Sequence, residues 1–85
     1  MKIITKDLYE AAYLLTHGHP LQELFGDTRT VLFQFEGDEE SLRLLKHKYD
    51  QGQAQANVLQ LKKNMSYLKD VLFSKIRESK NSSRL

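Results

Sequence analysis

No cysteine occurs anywhere in this chain. Disulfides, thiolate metal centres and thiol nucleophiles are therefore excluded, and no redox argument points to secretion. Glycine is sparse. Gly18, Gly26, Gly37 and Gly52 stand far apart, so there is no Gly-rich loop to cradle a phosphate. No stretch approaches the roughly 18–20 apolar residues of a membrane span. The opening Met1-Lys2-Ile3-Ile4-Thr5-Lys6 is too short an apolar run for a signal peptide. These absences set the expectation of a soluble, cytoplasmic protein with no membrane partner. At 85 residues the chain is expected to form one domain with a thin core. That domain is read as 1–78, followed by a basic tail at 79–85 that should fray.

What the chain does have is a long apolar seam near its end. From about Asn57 to Arg77 there is neither Gly nor Pro, and Val58, Leu61, Met65, Leu68, Leu72 and Ile76 recur every three or four residues. That is the period of an amphipathic helix. Leu59 and Phe73 lie well off this seam. A helix that is apolar on two sides is usually buried on two sides, the second covered either by a second chain or by the first two helices wrapping round.

The rest reads as short elements. Lys2–Thr5 is a β-branched strand. Asp7 and Glu10 have the spacing of a capping box, and Leu8, Ala11, Ala12 and Leu15 then form one helical face, with Tyr9 and Tyr13 beside it. Gly18 suits a left-handed cap, and Pro20 prevents continuation. Leu21–Phe25 is a second strand, Gly26-Asp27-Thr28-Arg29 a hairpin turn, and Thr30–Glu36 a third strand. Alternation sends Val31, Phe33 and Phe35 to the core and Leu32, Gln34 and Glu36 to an exposed face. Asp38 caps a second helix with Leu42, Leu45 and Tyr49 on its apolar side, Leu44 next to it, and Gly52 at its end. The fold class is α+β, in the order β-α-β-β-α-α: a three-stranded sheet covered on one face by helices.

The run Asp7-Leu8-Tyr9-Glu10-Ala11-Ala12-Tyr13-Leu14-Leu15-Thr16-His17-Gly18-His19 and the strand Val31-Leu32-Phe33-Gln34-Phe35-Glu36 carry a resemblance. The chain resembles a family of small prokaryotic domains of unknown function, from about Lys6 to Phe73. The resemblance implies the same small domain. It implies no chemistry, cofactor or site residue.

Catalytic and metal chemistry find little support. His17 and His19 share one turn, and the remaining candidate ligands are carboxylates, short of the supporting spacings of a zinc site. Ser41, Ser66 and Ser74 fall in helical contexts rather than on a strand-to-helix elbow. Glu39 and Glu40 point about 100° apart on a helix, which makes them dipole partners rather than an acid–base dyad. The expectation is no enzyme, no cofactor, no metal and no small-molecule substrate.

Charge is unevenly spread. Residues 1–40 hold three Lys/Arg against eight Asp/Glu, a net −5, and residues 41–85 hold ten against three, a net +7. The first expectation is an interaction domain that forms a homodimer through its last helix, with Leu59, Met65, Leu72 and Phe73 at or near the contact. The alternative is a nucleic-acid accessory protein using Lys62, Lys63, Lys69, Lys75, Arg77 and Lys80. An acidic protein face would suit the same basic half.

Overall fold

Each helix begins or ends on a residue suited to the task by its backbone or capping chemistry. The computed structural model describes residues 1–26 and 30–82, with side chains described as far as Arg77. The elements are β1 (Lys2–Thr5), α1 (Leu8–Thr16), β2 (Leu21–Gly26), β3 (Val31–Glu36), α2 (Glu39–Asp50) and α3 (Val58–Ser82). This is the expected β-α-β-β-α-α order.

Asp7 caps α1, its Oδ1 accepting from the Tyr9 and Glu10 amides at 2.9 and 3.3 Å. The reciprocal half of a capping box is not made. The Asp7 amide donates to Thr5 Oγ1 at 3.0 Å, and the Glu10 carboxylate is engaged elsewhere. Two helices end alike. Gly18 (φ 91°) and Gly52 (φ 73°) each take the left-handed position. Their amides donate to Leu15 and Tyr49 carbonyls, and the following amides donate to Leu14 and Lys48 carbonyls. That double bond pattern is the Schellman cap, which stops each helix and satisfies its last carbonyls. Asn57 starts α3 by accepting from the Gln60 amide at 2.9 Å. The helix therefore does not extend back through Ala54–Ala56, and it continues past Arg77 to Ser82. Of the expected tail, 79–85, positions 83–85 lie outside the described residues, as do Asp27, Thr28 and Arg29 of the expected Gly26–Arg29 turn.

The sheet order is β1-β3-β2, antiparallel throughout. β1 and β2 point the same way but lie on either side of β3, so they are not parallel neighbours. Ile3 pairs with Phe35 and Thr5 with Phe33. On the other side Leu21 pairs with Phe35 and Leu24 with Phe33, with a bulge between Leu21 and Glu23. This register stacks Ile3, Thr5, Phe33 and Phe35 on the face that meets the helices. The opposite face carries Ile4, Leu32, Gln34 and Glu36, as the alternation predicts. Gln34 departs from expectation on that face, being only 9% exposed. It sits on the central strand and donates to Gln22 Oε1 at 3.0 Å, while Gln22 donates to Glu36 at 2.5 Å. Neighbours on both sides bury it, and the amide ladder satisfies it.

α1 packs against β1, α2 and α3. Five consecutive residues, Glu10 to Leu14, are buried. Ala11 and Ala12 allow close approach, and the core joins them to Ile3, Tyr13, Leu14, Phe33, Phe35, Leu42 and Leu68. Burying one large side chain such as Phe35 or Leu68 contributes about 1.5–3 kcal/mol. α3 packs along α1. Its 25 residues span about 37 Å at 1.5 Å per residue, most of the molecule's 45 Å long axis.

Candidate functional site

At about 100° per residue, Leu61, Leu68 and Leu72 form the inner line of α3. Leu68 is fully buried, while Leu61 and Met65 pack against the core as half-buried residues. Leu72 and Ile76 line a surface groove of about 400 Å³ with Leu8, Val31 and Phe33. Of the four residues expected at a contact, Met65 and Leu72 thus belong to the inner side. Leu59 and Phe73 are on the outside, 64% and 56% exposed. They lie roughly 130° round from the inner line. Val58 and Tyr67 are also largely exposed.

The basic residues divide similarly. Lys62, Lys63, Lys69 and Arg77 are exposed, and Lys75 is half-buried beside the seam. Arg77 donates to Ser74 Oγ at 3.4 Å. The Lys80 side chain falls outside the described residues. Among the described residues no salt bridge involves α3; the ion pairs are all on α1 and α2.

A second cluster joins α1 to α2. Lys46 Nζ donates to Glu10 Oε2 at 2.9 Å, and the Glu10 side chain is only 5% exposed. This bond holds the Lys46 ammonium above its usual pKa. The Tyr49 hydroxyl donates to Asp7 Oδ2 at 2.6 Å. Burial, then the Asp7 carboxylate, push the Tyr49 phenol well up, and burial raises Tyr13 as well. The Tyr13 ring packs against Tyr49 and, edge-on, against His17, with centroids 5.6 and 4.7 Å apart. A sequence reading cannot pair residues 36 to 42 positions apart. The signal that existed was Glu10 inside an otherwise apolar helix.

His17, His19 and Asp38 each have a structural role. His17 Nε2 lies 2.6 Å from the Gln55 carbonyl and straps the connector between α2 and α3 onto the end of α1. The His19 ring occupies the space beside Gly37, where any Cβ would come within 2.9 Å of Nδ1. Asp38 caps α2, and the Ser41 amide holds its carboxyl below the usual range. Tyr9, Tyr13, Tyr49, Gln55 and Leu61 border a cleft of about 310 Å³. Among the described residues no group of three or more His, Asp or Glu could hold a metal ion. No described helix is long and apolar enough to cross a membrane. No family model, curated protein or solved structure matches the chain.

Proposed function

We propose that the chain is a non-enzymatic interaction domain of the cytoplasm that self-associates through the outer flank of α3. The observation that carries this reading is the exposure of Leu59 and Phe73 on the longest helix, on the side away from the core. Apolar side chains on two sides of a helix imply burial on both, and the subunit itself covers only the inner one. Two-fold pairing supplies the second cover with no further gene product. Met65 and Leu72 support the flank from behind. The resemblance carried by Asp7–His19 and Val31–Glu36 is part of this proposal and transfers no site residue.

Light scattering tests it. At about 100 µM, well above the Kd of a micromolar dimer, the mass should be near twice 9.9 kDa. Replacing Leu59 and Phe73 together with serine should return a folded monomer. A monomeric parent chain at that concentration sinks the reading.

A second reading is favoured by the free cations of α3. Lys62, Lys63 and Lys69 are exposed and unpaired among the described residues, so they are available to phosphates. Binding to DNA or RNA would weaken linearly in log–log plots against salt. No shift of either nucleic acid at low salt would eliminate it.

A further inference from the structure

The outer flank of α3 is self-complementary in only one direction. Leu59, Ser66 and Phe73 are seven residues apart and fall within about 20° of one line. Ser66 is the midpoint. On either side of it, four residues away, stand Lys62 and Asp70, one on each edge of the line. Asp70 is the sole acid between Val58 and Arg77, among five Lys and Arg. All five flank residues are exposed, and neither Lys62 nor Asp70 makes an ion pair among the described residues.

We infer that two copies of this chain pair through α3 antiparallel, about a two-fold axis passing beside Ser66. This inference rests on the self-association proposed above and specifies its register. In that arrangement Leu59 of one copy meets Phe73 of the other, about 10 Å from the axis at 1.5 Å per residue. Lys62 meets Asp70 of the other copy. Each contact occurs twice, as an isologous interface requires. The shallow drift of the Leu59–Ser66–Phe73 line suits helices crossing at about 20°. The small Ser66 side chain permits close approach at the crossing. A parallel pair would set Lys62 against Lys62 and Asp70 against Asp70, so charge selects the antiparallel direction.

The chain contains no cysteine, so a single introduced thiol reports the register. Helix axes about 8–10 Å apart, with Cα atoms about 2.3 Å from each axis, leave facing Cα atoms roughly 3–5 Å apart. That overlaps the range of about 4.4–6.8 Å that a disulfide spans. Ser66→Cys should therefore oxidise to a covalent dimer, whereas Ser74→Cys, about 80° round the helix, should stay reduced under the same conditions. Lys62→Glu and Asp70→Lys should each weaken the dimer by about tenfold, since like charges then meet twice. The double variant should regain the parent affinity. A parent dimer in which Ser66→Cys cross-links no faster than Ser74→Cys, or in which the double variant shows no rescue, overturns this register and leaves self-association standing. A monomeric parent removes both.

Discussion

α1 meets its two helical neighbours by different means. Toward α3 the joint is apolar: Leu61, Met65 and Leu68 pack inward, with one polar tie among the described residues, Asn64 Nδ2 to Thr16 Oγ1 at 2.9 Å. Toward α2 the joint adds part-buried polar bonds to Leu42 and Leu45, through Lys46 to Glu10 and Tyr49 to Asp7. The first kind of joint derives strength from area and tolerates sliding. The second derives little net energy from each bond but fixes position, because a displaced partner leaves a buried charge unpaired. The difference teaches where the fold is held and where it is registered. Asp7 shows this most directly: one oxygen caps α1 while the other receives Tyr49, so α2 is aligned against the very start of α1.

Four substitutions bear on this contrast. Leu68→Ala should cost about 3 kcal/mol, the loss of a fully buried leucine plus its cavity, read as a lower urea midpoint. A loss below that caused by any polar change would break the comparison. Lys46→Met should cost about 1–2 kcal/mol, because Glu10 keeps its burial and loses its cation. Adding Glu10→Gln should recover part of that loss, as a double-mutant cycle would show. Tyr49→Phe should cost about 1 kcal/mol at neutral pH and also change the alkaline limb. The Tyr49 and Lys46 groups both titrate higher in the folded chain than their ordinary values of 10.0 and 10.5. Each raised group contributes stability that is complete below its ordinary value and is lost as pH rises through its folded one. The parent should therefore lose stability above about pH 10, and Tyr49→Phe should lose less over the same interval.

The two joints also differ in how far the sequence discloses them. The α3 seam shows plainly, because hydrophobic period is local: Leu61, Leu68 and Leu72 declare one face without reference to any other element. The caps at Asp7, Asp38, Gly18 and Gly52 show for the same reason. The Glu10–Lys46 and Asp7–Tyr49 bonds do not. Each joins groups whose proximity exists only after α2 has docked. Glu10 even matches a local motif, the capping box, which tertiary packing overrides. Gln34 fails in the same way: its position in the alternation is as expected, but its burial depends on Gln22, carried on a neighbouring strand with a bulge. For the site, sequence spacing separates Leu59 and Phe73 from the seam, and the coordinates place them outside. Spacing likewise puts Met65 and Leu72 on the seam, and packing keeps that pair on the inner side.

The central position of β3 has a consequence for how the chain comes together. β2 and β3 are joined by a short link and can zip as a hairpin at once. β1 has no partner until residue 36 has been made, since its pairs run from Lys2–Glu36 to Thr5–Phe33. During synthesis the first strand must therefore wait, tethered to α1, for a ready-made edge. Its arrival closes the sheet, and the Met1 ammonium and Gly37 carbonyl, 3.0 Å apart, fasten the two ends of that wait together.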